Sequence, residues 1–270
     1  MLEVLRLPFV VHALITASIA AVVAAVSGYF LVSRGLTFAG HALPNIGFAG
    51  AAGAVLLGVE PVYGLFAFTL GAGVVVGFVG EDLRSRDVSI GVVMTFALGL
   101  GLLFLSLYSG YAQRVYGILF GNVLGISAQA VVLTAAASGA ILVVIVFLYR
   151  PLLFSTFDPP AAEARAVPVR LLSLLFMAIV AITVSLSIQV MGALLVFTLL
   201  VGPPATARRI VKDPVSSILL SIALGLVYVW LGILLAVASG RVPVSFFIAT
   251  LSFLVYLPVR LISPLGREAE

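Results

Sequence analysis

His41 and Asn45 are the two side chains best placed to do chemistry. They lie in the stretch SRGLTFAGHALPNIGFAGAAGAVLLGV, which begins at Ser33. Residues four apart share one face of a helix. An imidazole suits a borderline divalent cation such as zinc, and an amide oxygen adds a harder donor. Only the neutral ring binds metal, so binding through His41 should weaken in acid. Pro44 lies between the pair and lacks an amide hydrogen, so a bend is expected there. The other role open to His41 is a hydrogen bond to a neighbouring helix.

The element that must carry this pair is apolar. Arg34 precedes an uncharged run that ends at Glu60. At about 1.5 Å per helical residue, such a run crosses a hydrocarbon core of about 30 Å. Polar groups inside it cost free energy unless they face protein or water. His41 and Asn45 therefore read as the lining of a translocation path. Gly40, Gly47, Gly50 and Gly53 would let a neighbouring backbone come close.

The whole chain shares this character. It is 63% hydrophobic and 9% charged, against about 25% charged in soluble domains. An all-α, polytopic membrane protein is expected, with residues 1–270 forming a single transmembrane domain. The apolar run after Arg6 reaches Val32, too long for a signal-peptide core of about 7–15 residues. Without cysteine there are no disulfides and no thiolate ligands. The net charge of +4 is no pointer to nucleic acid. In a membrane chain the position of each cation matters more than the sum.

Nine stretches are expected to cross: Phe9–Val32, Leu36–Val59, Pro61–Gly80, Val88–Tyr108, Ala128–Tyr149, Leu171–Ile188, Val190–Ala207, Val215–Ala238 and Val242–Val259. Only Gln189 separates the sixth from the seventh, so eight is the alternative. Tyr111–Ser127, with Arg114, is too short and polar to span and reads as a surface or re-entrant helix. Nine crossings put eleven Lys and Arg on one side, including Arg34, Arg165, Arg208 and Lys212. Arg6, Arg114 and Arg241 fall on the other. The crowded side is then cytoplasmic, with the N-terminus outside and the C-terminus inside.

All ten acids are expected in loops or tails. Ion-coupled carriers usually need intramembrane carboxylates, so energy should come from a cytoplasmic partner. In the connector Arg150–Arg170, Asp158 precedes Pro159, Pro160 and AAEARA. That is a helix-start signal. It predicts a short surface helix with Glu163 and Arg165 exposed, either a solvated connector or a docking element. Pro203 and Pro204 in LLVGPPATARRIVKDP are expected to break the seventh span, with Arg208 and Arg209 anchoring its end. Gly73 and Gly77, with Gly91, Gly99 and Gly101, read as packing signals, as do Met94 and Thr95. His12 reads as interfacial.

Several stretches together resemble the permease subunits of ATP-binding-cassette importers for zinc, manganese and iron. They are SRGLTFAGHALPNIGFAG, DVSIGVVMTFALGLGLLFLSL, GILFGNVLGIS, FDPPAAEARAV and MGALLVFTLLVGPPATARR. The resemblance implies a homodimer in the cell inner (plasma) membrane, embedded in the lipid bilayer. It implies cytoplasmic ATPase subunits docked on Asp158–Val167, through Asp158, Glu163 and Arg165. It also implies an extracytoplasmic substrate-binding protein that delivers the cargo. The chain itself would be no enzyme and would bind no cofactor, ATP being used by the partner. The family's G-D-x-L-x-H motif is matched at Gly40 and Leu43. His41 stands at its acid position, Asn45 at its histidine position, and Thr95 where a further histidine is common.

The leading expectation is therefore an importer permease for a divalent metal, zinc or manganese, with His41 and Asn45 on the path. Alternatives are the same machine carrying a metal chelate, a secondary carrier or channel, and a structural membrane anchor. The anchor leaves His41, Asn45 and the helix-breaking prolines unexplained.

Overall fold

The computed structural model describes residues 8–78, 83–108, 127–240 and 242–262. Every element among them is a helix: α1 (Pro8–Ser33), α2 (Thr37–Leu56), α3 (Pro61–Phe78), α4 (Leu83–Leu107), α5 (Ala128–Phe157), α6 (Pro159–Ala164), α7 (Val169–Met191), α8 (Ala193–Ile210), α9 (Pro214–Ser239) and α10 (Val244–Ile262). Among the described residues, seven are long and apolar enough to cross a membrane: α1, α3, α4, α5, α7, α9 and α10.

Helix α1 runs through the middle of the fold and packs against α5, α7, α8 and α9. Its core face is built from Ala13, Ala17, Ala20, Ala21 and Ala24, all buried. This i, i+3, i+4 pattern of small residues brings several helices close at once. Helix α2 lies chiefly between α3 and α4, with α8 and α7 on a further side. Buried hydroxyls tie the spans together: Ser27 to Thr183, 3.3 Å apart, and Thr69 to Ser185.

Glycines set the spacing where the sequence suggested they would. Gly50 of α2 and Gly64 of α3 meet backbone to backbone, each where the other's Cβ would stand. At Gly47 an added Cβ meets only side-chain ends, Thr69 Cγ2 at 2.6 Å and Leu65 Cδ1 at 3.0 Å. In α3, Gly73 and Gly77 face Met177 and Leu174 of α7. Gly99 has no neighbour within 4 Å of an added Cβ among the described residues. Gly50→Ala should therefore be the more damaging change, because a carbonyl cannot swing aside as a side chain can. Overpacking of this kind costs about 1–3 kcal/mol. Thermal unfolding of both variants checks it, and an equal or larger loss for Gly47→Ala would contradict the backbone contact.

Several boundaries differ from expectation. The sixth and seventh spans part at Gly192, not Gln189. Gly192 has φ 84 and ψ 156, a backbone open to glycine and strained for other residues. Gln189 stays inside α7, its amide donating to Ser185 O. Pro203 and Pro204 do not break the seventh span. Helix α8 runs through both, and both are buried. Helix α5 likewise continues through Arg150 and Pro151 to Phe157. Asp87, expected in a loop, begins the membrane-crossing part of α4. The Tyr111–Ser127 segment lies outside the described residues except for Ser127. That residue caps α5, its hydroxyl accepting from Ala130 N at 3.2 Å.

Candidate functional site

The sequence of α2 buries nearly all of its surface: Ala39, Gly40, Ala42, Leu43, Pro44 and most residues to Val55 are inaccessible. His41 is the exception. It is exposed, and Asn45 on the same face is half-buried. The His41 ring stands edge-on to Phe197 of α8, centroids 5.0 Å apart. Among the described residues neither ring nitrogen makes a hydrogen bond, to a neighbouring helix or otherwise.

Asn45 donates from Nδ2 to His41 O at 2.9 Å and toward Met94 Sδ of α4 at 3.7 Å. The group facing a carbonyl must be the amide nitrogen. That leaves Oδ1 free to accept or to ligate. One open face therefore presents an imidazole and an amide oxygen, with a thioether beside them. Such donors can hold a divalent cation loosely, with water or a further chain filling the remaining positions. Among the described residues no three His, Cys, Asp or Glu side chains converge.

Met94 and Phe197 belong to this neighbourhood and were not legible as site residues. A methionine or phenylalanine in an apolar span looks the same whether it fills a core or edges a path. Thr95 is exposed but turns its hydroxyl back to Gly91 O at 2.9 Å. His12, in α1, is half-buried and outside this cluster.

The second group of named residues lies at α6. Asp158 accepts from Ala161 N at 3.1 Å and so starts the helix, with Pro159 in its first turn. The helix closes with Val167 N on Ala162 O and Ala166 N on Glu163 O, at 3.0 and 2.9 Å. This is a Schellman pattern, with Ala166 in the left-handed conformation, φ 58. The closure leaves Glu163, on this six-residue helix, and Arg165, its C-cap, exposed, the Arg165 guanidinium lying 5.6 Å over Phe154. Asp158 is exposed too, but its carboxylate is committed to the cap.

Arg34, in sequence a single charge flanking an apolar run, links the two groups. It stands in the turn between α1 and α2. Its Nε donates to Thr156 Oγ1 at 2.9 Å and its Nη2 to Ser155 Oγ at 2.7 Å. Longer contacts reach Leu152 O and Ser173 Oγ, and the guanidinium lies 5.0 Å over Phe176. Burial pulls its ionisation down to about 10, so it stays charged at neutral pH. The entry to α2 is thus clamped to the end of α5, two residues before the α6 cap.

Among the described residues, seven helices are long and apolar enough to cross a membrane, and one packed helix keeps an open polar face. Residues 6–263 match the ABC 3 transport family, and the chain belongs to it. It is 30% identical over 206 residues to the manganese transport system membrane protein MntC of Halalkalibacterium halodurans. That match covers 76% of this chain and 70% of the relative. It is 30% identical over 218 residues to the manganese import system permease protein ScaB of Streptococcus parasanguinis, covering 80% and 78%. Among solved structures it is similar to PsaBC from Streptococcus pneumoniae in complex with Fab. The TM-score is 0.86 at 27% identity, with 99% of this chain and 96% of that chain covered.

Proposed function

We propose that the chain is the permease subunit of an ATP-binding-cassette importer that carries a divalent metal ion, manganese or zinc. The cargo comes from an extracytoplasmic binding protein and leaves into the cytoplasm. The observation that carries this is the open His41–Asn45 face on an otherwise buried helix, in a chain whose relatives are named for manganese transport. A second copy of the chain facing this surface would bring a second His41 and enclose the path. Imidazole suits zinc and oxygen donors suit manganese, so the pair serves both. The seven long apolar helices together with α2 and α8 make nine crossings.

Three connections gather on one side. Arg34 binds the end of α5, α6 follows directly, and Phe157 lines a cleft with Arg208 and Lys212. That side carries a large share of the basic residues, which supports a cytoplasmic assignment with the N-terminus outside.

Uptake into reconstituted vesicles, with manganese and zinc competing and ATP varied, tests the reading. Uptake should require both ATP and the ATPase subunits. Transport that persists without them would favour a secondary carrier. The exposed pair on α6 gives a separate expectation. Charge reversal, Glu163→Arg with Arg165→Glu, should leave the permease folded but lower the uptake obtained per ATP hydrolysed. Cross-links from α6 that never reach an ATPase subunit would remove the docking role.

A further inference from the structure

A polar cleft lies apart from the His41–Asn45 face and shares no lining residue with it. Its volume is about 190 Å³, and it is lined by Tyr29 of α1, Phe157 at the end of α5, Arg208 of α8, Val211, Lys212 and Ser217 of α9. Ser217 is 1% exposed, and its Oγ has no hydrogen-bond partner among the described residues. A buried hydroxyl without a partner is costly, and a ligand oxygen in the cleft would remove that cost.

Arg208 and Lys212 stand exposed at this cleft, and among the described residues neither makes a hydrogen bond or an ion pair. Asp213 is next in sequence and stays ionised, but among the described residues it forms no ion pair with either cation. Its carboxylate accepts from Ser216 N at 2.8 Å, and backbone hydrogen bonds at Ser216 hold it below the usual carboxylate range. Two cations close together repel each other until an anion arrives.

We propose that this cleft binds a phosphate group through Arg208, Lys212 and the Ser217 hydroxyl. Phosphate fits because it is anionic and has several acceptor oxygens, so one group can serve both cations and the buried hydroxyl. Two sources share this chemistry: the headgroup of an anionic phospholipid and free phosphate. Phe157 and Val211 give the cleft an apolar wall suited to the glycerol end of a lipid. A bound headgroup would join the end of α5, just before the α6 cap, to the α8–α9 turn. Only the assignment of the cleft to the cytoplasmic leaflet rests on the importer reading.

The test uses the purified full chain in nanodiscs of phosphatidylcholine, with or without phosphatidylglycerol. Native mass spectrometry reads lipid retained, and thermal melting reads stabilisation. Inorganic phosphate is titrated into the phosphatidylcholine discs. Phosphatidylglycerol should be retained in preference, and Arg208→Gln with Lys212→Gln should weaken retention roughly fivefold per cation, about 25-fold together. Ser217→Asp, which places a carboxylate in the cleft, should abolish it, and Arg260→Gln at the end of α10 should not. Both Gln substitutions are on exposed residues, so their melting in pure phosphatidylcholine should match the parent chain. Protection by millimolar phosphate without any effect of phosphatidylglycerol would assign the site to free phosphate. Equal phosphatidylglycerol retention by parent and double variant, or no response to either probe, would overturn the proposal. No metal or ATPase enters this measurement, so its failure leaves the importer reading standing, and the reverse holds too.

Discussion

His41→Ala is expected to cut metal uptake at least about tenfold while the complex still assembles. Removing even a group that only orients a metal ligand costs about ten- to a hundredfold in affinity or activity, and His41 is proposed as a ligand itself. Packing is the competing explanation, because the ring stands against Phe197. His41→Phe separates the two. It keeps an aromatic ring at that position and removes the nitrogen, so uptake should fall as far as in His41→Ala. Asn45→Ala should have a smaller effect, since an amide oxygen is the weaker partner, and His12→Ala should have none. His41→Asp should retain or improve uptake, because carboxylate oxygen is a good ligand for manganese. Normal uptake in His41→Phe, with an unchanged response to acid, would leave His41 a packing residue.

Arg34→Met should have the next largest effect, and on a different quantity. All four of its side-chain hydrogen bonds go to hydroxyls or a carbonyl at the ends of α5 and α7. Hydrogen bonds to a charged group are worth about 1.5–3 kcal/mol each. The net loss is smaller than their sum, because the charge that burial penalises goes as well. We expect a destabilisation of about 1.5–3 kcal/mol with a several-fold fall in uptake per ATP hydrolysed. Basal hydrolysis should persist, because the proposed ATPase contacts on α6 are untouched. Arg34→Lys should recover stability only in part, since an ammonium cannot present the fork that reaches Thr156 and Ser155 together. Uptake per ATP that matches the parent chain in Arg34→Met would reduce the clamp to a purely structural one.

Much of this protein was legible from local pattern. Long uncharged runs meant membrane helices, because an unpaired backbone group is intolerable in lipid and a helix satisfies its own. Asp158 followed by two prolines meant a short helix, and it starts where its cap chemistry says it must. His41 and Asn45 were visible because polar residues in such a run need a reason. The errors have equally local causes. Two prolines in a row suggest a break, yet α8 passes through Pro203 and Pro204, both of them buried. The actual break needed a positive-φ backbone, and Gly192 supplies it, as Gly35, Gly58 and Gly240 do at other helix ends.

What only the tertiary structure decided is which distant helices meet. Periodicity states that a helix has a face; it does not name the neighbour. Phe197 against His41, Met94 against Asn45 and the serine and threonine partners of Arg34 lie dozens to more than a hundred residues away in the chain. Small residues let these helices approach, but each approach is selected by the sum of all the others. The open face at His41 is likewise a remainder, the part of α2 that α3, α4, α7 and α8 leave uncovered. The cleft at Ser217 arises the same way, from the ends of four helices brought together at one side. A buried hydroxyl without a partner there, among the described residues, marks a place for a ligand that no stretch of sequence would have shown.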